Sequence, residues 1–92
     1  MVSVEKKVDF MRGSRIDVVA DILGLSRGGA RKTDILYRCG LSLSELEVYL
    51  NFLADMGLVR EVSESGSSAF ETTDKGVAFL QAYSTLKTLL SR

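Results

Sequence analysis

The sequence predicts a mainly α domain with one small β-hairpin: three short helices, two strands, then a longer helix. Three features predict it. Apolar side chains at 43, 46, 49, 50 and 53 line one face of a helix. Leu58–Val62 and Ala69–Thr72 are β-prone runs flanking a polar Gly/Ser turn at 63–68. Phe79, Tyr83, Leu86 and Leu90 step by 4, 3 and 4 residues, the seam of an amphipathic helix. With 92 residues and 46% hydrophobic content, the chain has enough apolar material for one small core.

Each element has its own warrant. In residues 1–13, Val4, Val8 and Met11 fit a helix, while Val2, Val4, Val8 and Phe10 fit alternation, so a short helix or an extended arm is expected. Lys6, Lys7 and Arg12 make it mildly basic. Ser14, with Asp17 three residues on, approximates a capping box for helix 1. Ile16, Val19, Ala20, Ile22 and Leu23 form its apolar face, and Gly24 stops it. A loop over 25–30 follows, loosened by Gly28 and Gly29. Arg31–Cys39 reads as helix 2, with Ile35, Leu36 and Cys39 inward and Gly40 at its end.

Helix 3 opens on Ser42 with Glu45 three residues later, a capping box, and closes at Gly57. Its inward arc holds Leu43, Leu46, Tyr49, Leu50 and Leu53. The opposite arc holds Ser44, Val48, Asn51 and Asp55, flanked by Glu45 and Glu47. After the hairpin, Thr73 can cap helix 4, Asp74 suits its dipole, and the helix runs to about Leu90. Helix, helix, helix, hairpin, helix is the order of a winged helix-turn-helix with an added C-terminal helix. The expected organisation is an arm at 1–13, the winged domain at 14–72, and a C-terminal helix at 73–92 serving dimerisation.

Composition narrows the function. With no histidine, Ser-His and Cys-His catalysis and the usual zinc sites are absent. Cys39 is alone and reads as helix-end packing. The carboxylate pairs Asp17/Asp21 and Glu45/Glu47 read as solvated helix faces, and Gly28-Gly29 as a turn rather than a phosphate cradle. No enzyme, cofactor or metal is expected. No apolar run approaches the roughly 20 residues of a membrane span, and no secretory leader is recognisable, so a soluble cytoplasmic protein is expected.

Net charge is zero but unevenly spread. Residues 1–40 carry eight basic and five acidic residues, a net +3; 41–74 carry one against seven, −6; 75–92 carry three basic residues, +3. Arg31, Lys32 and Thr33 gather at the start of helix 2, beside free backbone N–H groups, which suits a DNA phosphate.

Several runs resemble the small archaeal winged-helix transcriptional regulators. They are Arg12-Gly13-Ser14-Arg15-Ile16-Asp17-Val18-Val19-Ala20-Asp21-Ile22-Leu23, Arg31-Lys32-Thr33-Asp34-Ile35-Leu36-Tyr37-Arg38, Leu41-Ser42, Tyr49-Leu50 with Leu53 and Gly57-Leu58, and Thr72-Thr73-Asp74-Lys75-Gly76. The resemblance covers roughly residues 12–90. It implies a domain that binds double-stranded DNA, without cofactor, often as a homodimer joined through the last helix. It implies that Lys32 and Thr33 touch the phosphate backbone, and that Ser42, Ser44, Glu45 and Val48 face the groove. Tyr37 and Tyr49 match core or half-buried positions, and Arg60 and the turn at 65–68 lie in or near the wing.

The expected function is a homodimeric DNA-binding transcriptional regulator, with helix 42–56 in the major groove and the 63–68 turn as wing. Helix 3 carries no Lys or Arg, and the wing sets Glu61 and Glu64 against Arg60. Affinity must then come from cations outside the recognition helix, notably Arg15, Arg27, Arg31, Lys32 and Arg38, so weak binding with a shallow salt dependence is expected. Phe79, Tyr83, Leu86 and Leu90 are the expected dimer seam, because Leu86, Leu89 and Leu90 project beyond a three-helix core. The alternative is a protein-interaction module whose acidic helix 3, with Val48 and Phe52 exposed, binds a protein and not DNA.

Overall fold

The computed structural model describes residues 15–64 and 66–91. Residues 1–14, including the expected arm and the Ser14 cap, lie outside the described residues. The elements are α1 (Arg15–Leu25), β1 (Ala30–Arg31), α2 (Lys32–Cys39), α3 (Leu43–Asp55), β2 (Val59–Glu64), β3 (Ser67–Thr72) and α4 (Asp74–Leu90). The strands form one antiparallel sheet in the order β1-β3-β2.

Local chemistry fixes α3 at both ends. The Glu45 N–H donates to Ser42 Oγ at 3.2 Å, and the Ser42 N–H donates to Glu45 Oε1 at 2.9 Å, the expected capping box. At the other end the Leu58 N–H reaches the Leu53 carbonyl at 2.8 Å and the Gly57 N–H the Ala54 carbonyl at 3.0 Å. This is a Schellman closure, and it needs the left-handed backbone that Gly57 adopts at φ 76°. The chain therefore leaves α3 directly into β2.

The core lies between the helices and the sheet. Val19, Ile22 and Leu23 of α1, Ile35 of α2, and Leu46, Leu50 and Leu53 of α3 pack with Leu58, Val59 and Phe70. The apolar positions recur at helical spacing, so each helix buries one stripe and leaves the other wet. The end of β3 is tied to the end of α1 by Thr72, whose N–H donates to the Ser26 carbonyl at 3.0 Å and whose hydroxyl donates to the Leu23 carbonyl at 2.7 Å. α4 starts from Thr73, whose hydroxyl accepts from the Gly76 N–H at 3.2 Å. The same hydroxyl donates to the Gly57 carbonyl at 2.6 Å.

Several sequence expectations are corrected. Helix 1 passes through Gly24 and ends at Leu25; an interior glycine costs about 1 kcal/mol relative to alanine, which the buried Ile22 and Leu23 on the same helix outweigh. The expected loop ends in β1, and Arg31 is a strand residue and the N-cap position of α2, not its first turn. Both hairpin strands are longer than expected, so only positions 65 and 66 separate them. Tyr37, expected as core or support, is 88% exposed. Leu43, placed on the inward arc, is exposed because it is the first residue of α3, ahead of the turn that packs. Asp17 is not a solvated face residue: it accepts a hydrogen bond from the Tyr83 hydroxyl of α4, and Lys87 Nζ lies 3.9 Å away.

Candidate nucleic-acid interface

The turn at Gly40–Ser42 sets α2 against α3 and leaves the outer side of α3 in water. Gly40 takes φ 65°, which ends α2 and redirects the chain within two residues. Leu46, Leu50 and Leu53 anchor α3 in the core. That rotation puts Ser44, Glu45, Glu47, Val48 and Asn51 outward, with Val48 69% exposed. Ser42 and Ser44 share a hydroxyl contact of 3.3 Å at the N-terminal tip. Glu45 is bent back onto the Ser42 N–H, and those hydrogen bonds hold its carboxyl below the usual carboxylate range. It is thus a cap first; its charge sits at the helix N-terminus, where the dipole favours it.

The cations divide into two sets. Lys32 Nζ lies 3.4 Å from Glu47 Oε2, linking the start of α2 to the outer face of α3. Arg60 donates through Nε at 3.1 Å and Nη2 at 2.8 Å to Glu71 Oε1, its neighbour across the hairpin. In the same hairpin the Ser68 hydroxyl donates to Glu61 Oε2 at 2.6 Å. Arg27, Arg31 and Arg38 are exposed and have no ion-pair partner among the described residues. Thr33 is exposed beside Lys32. The expected site residues therefore do not converge on one patch of equal standing. Three arginines around α2 are available to an anion, Lys32 and Arg60 are engaged, and α3 with its Ser42 cap presents two serines, three acids (Glu45, Glu47 and Asp55) and an apolar stripe.

α4 leaves the core as it goes. Phe79 and Leu80 are half-buried against it. Tyr83 stacks on Phe79 with ring centroids 6.5 Å apart, and Lys87 Nζ lies 5.6 Å over its ring. Its bond to Asp17 favours the protonated phenol and pushes the pKa up to about 12. Of the expected seam, Tyr83 is thus tied to α1 of its own chain, while Leu86, Leu89 and Leu90 are exposed. Cys39 is half-buried at the end of α2, where burial, and then the nearby Asp21 charge, raise its pKa, as befits packing and not nucleophilic chemistry. Among the described residues, no group of three metal-ligating side chains is placed to hold an ion, and no helix is long and apolar enough to cross a membrane.

An open groove of about 810 Å³ runs between the start of α1, one flank of α3 and the start of α4. Ile16, Val19, Val48, Phe52, Met56 and Phe79 supply its apolar lining, with Arg15, Glu45 and Lys75 among its polar residues. The spacing Val48, Phe52, Met56 is a readable stripe on α3. What made it a groove, the placement of α1 and α4 beside it, is tertiary and has no local signal.

Comparison with known proteins places the architecture. Sso10a-2, a DNA-binding protein from Sulfolobus solfataricus, is similar at 19% identity with a TM-score of 0.66, over 86% of this chain and 98% of that one. The transcriptional regulator BldR, also from Sulfolobus solfataricus, is similar at 20% identity and a TM-score of 0.67, over 98% of this chain and 83% of its own. The oxidised form of MarR from E. coli is similar at 16% identity and 0.62, over 73% of this chain. This chain spans only 48% of the length of that MarR. At these identities the likeness is one of fold. No curated protein matches the sequence. A family model described as winged helix-turn-helix matches residues 12–91, nearly the whole described fold and its three-helix, hairpin and final-helix order, and the chain belongs to that family.

Proposed function

We propose that the protein is a non-enzymatic DNA-binding transcriptional regulator of the archaeal winged-helix kind, acting in the cytoplasm as a homodimer joined through α4. In this reading α3 enters the major groove, the hairpin tip is the wing, and neither metal nor cofactor takes part. The observation that carries it is the combination of a solvent-facing α3, rigidly capped at both ends, with three arginines around the helix that precedes it that have no ion-pair partner among the described residues. A helix fixed in this way can be held at a set depth in a groove, and arginines beside it can neutralise the flanking phosphates. Sso10a-2 and BldR, similar in fold, are described as a DNA-binding protein and a transcriptional regulator, which supports the reading. Arg27, Arg31, Arg38 and Thr33 are assigned to phosphates, with Lys32 and Arg60 joining once released from their carboxylates. Ser42, Ser44 and Val48 are assigned to the groove, with Glu45 shaping the tip.

A titration of a labelled random duplex, followed by anisotropy at low and then moderate salt, tests it. Binding is expected at low salt, weakening with salt, and falling roughly tenfold or more in an Arg31→Glu, Lys32→Glu variant. A folded protein that leaves the duplex unbound at low salt overturns the proposal. A second reading, a protein-interaction module, is favoured by one observation: Val48, Phe52 and Met56 form an exposed apolar stripe along the same helix.

A further inference from the structure

We propose that Tyr37, on the outer face of α2, is a further contact with DNA: its ring lies on a backbone deoxyribose and its hydroxyl donates to the adjoining phosphate. The assignment rests on the DNA-binding reading above and adds an uncharged residue to its phosphate contacts. Tyr37 is 88% exposed. Among the described residues nothing engages its ring or its hydroxyl, whereas Tyr83 stacks on Phe79 and bonds Asp17. The core has no use for it either. α2 turns Ile35 fully inward and half-buries Leu36 and Cys39, which leaves Thr33, Asp34, Tyr37 and Arg38 on the wet side.

The neighbours of Tyr37 select its occupant. Thr33 lies one turn earlier on the same face, so two hydroxyls stand with Cβ atoms about 5–6 Å apart. Arg38 follows directly, and Arg31 and Lys32 stand at the start of the helix. Asp34 shares the exposed side, and Arg38, four residues on, offsets its charge. An apolar ring, neutral donors and surplus cations on one surface match a sugar-phosphate backbone. The ring covers the sugar, the hydroxyls reach phosphate oxygens, and the arginines neutralise the flanking charge. A tyrosine has only two side-chain torsions to fix, so it makes such a contact at low entropic cost. No base edge takes part, so the contact adds affinity and sets register without sequence preference.

Nitration footprinting of the full-length chain on a random duplex tests it. The chain has three tyrosines, and Tyr49 and Tyr83 are half-buried, so each serves as an internal reference. A Cys39→Ser background is used, because tetranitromethane also oxidises thiols. Saturating duplex is expected to slow nitration of Tyr37 about tenfold and to change that of Tyr49 and Tyr83 by less than roughly twofold. Tyr37→Phe is expected to weaken binding about threefold and Tyr37→Ala about tenfold. Neither should change the slope of log K against log salt, since a neutral donor releases no counterion. Neither should lower the thermal midpoint; an affinity loss that comes with a lower midpoint makes the role structural and overturns the proposal. Duplex binding with Tyr37 nitrated at its free rate and both variants at parental affinity overturns this contact and leaves the DNA-binding reading standing. Protection of Tyr37 with parental affinity in Tyr37→Ala overturns it too, because the ring is then shadowed and not bound. A folded protein that leaves the duplex unbound at low salt overturns the DNA-binding reading and this contact with it.

Discussion

A hydrogen atom at position 76 decides how closely α4 approaches the end of β3. A Cβ built there meets the Leu58 carbonyl oxygen and the Thr72 methyl at distances no side chain tolerates. Gly76 is buried, and its N–H is the donor that the Thr73 hydroxyl accepts. The same few residues also carry the Thr73 N–H to the Leu58 carbonyl at 3.0 Å and Lys75 Nζ to the Met56 carbonyl at 2.6 Å. Moving the helix outward to fit a methyl group would break this set together. Gly76→Ala should therefore destabilise the fold by roughly 1–3 kcal/mol despite the better helix propensity of alanine. Chemical denaturation measures it; a variant as stable as the parent would mean that α4 docks less tightly than its contacts indicate. Gly24, equally a glycine within a helix, has no atom near its virtual Cβ. There alanine should do no harm, which makes it the matched comparison.

At the scale of elements, α4 serves two ends. Its first half packs on the core through Phe79, Leu80 and the Tyr83–Asp17 bond. Its last turns carry Leu86, Leu89 and Leu90 into solvent, Leu89 at 76% exposure. Exposed leucines at the tip of a well-ordered helix lower their free energy by meeting a second apolar surface, at about 25 cal/mol per Å² removed from water. Leu86→Asp with Leu90→Asp should leave the fold intact, since neither side chain is buried within the chain, and under the proposed homodimer should give a monomer by light scattering. A double variant that stays dimeric would move the interface elsewhere. The spans of α3 and α4 were legible in the sequence because their determinants are local: Ser42 and Glu45, Gly57, and Thr73. β1 was not. Ala30 and Arg31 are a strand only because Phe70 and Ala69 pair with them, and a two-residue bridge leaves no periodicity. Tyr37 was misjudged for a related reason: on an eight-residue helix only Ile35 is fully buried, and the resemblance placed an aromatic where this chain turns it outward.

Taken whole, the molecule separates its charges. Arg27, Arg31 and Arg38, without ion-pair partners among the described residues, lie around α2, acidic residues line α3 and the hairpin, and Lys32 and Arg60 are engaged by Glu47 and Glu71. A duplex laid on α3 would thus be gripped on one side and repelled on the other. Such asymmetry sets a number. Arg27, Arg31 and Arg38 alone would replace about three condensed counterions per subunit, at roughly 0.9 per neutralised phosphate, and recruiting Lys32 and Arg60 raises this to between four and five. The slope of log K against log salt should accordingly lie between about −3 and −5 per subunit. A slope near −8 or steeper would require cations from outside this set and would overturn the assignment of contacts. The exposed Lys32–Glu47 pair provides the internal check, because surface pairs of this kind are worth under about 1 kcal/mol and open readily. Glu47→Gln removes both the competing carboxylate and one repulsive charge from α3. It should strengthen binding at low salt several-fold and steepen the slope by about one where Lys32 was held back from the phosphate. If affinity and slope both stay at their parental values, Lys32 points away from the duplex, and the contact surface lies further along α2, toward Arg38.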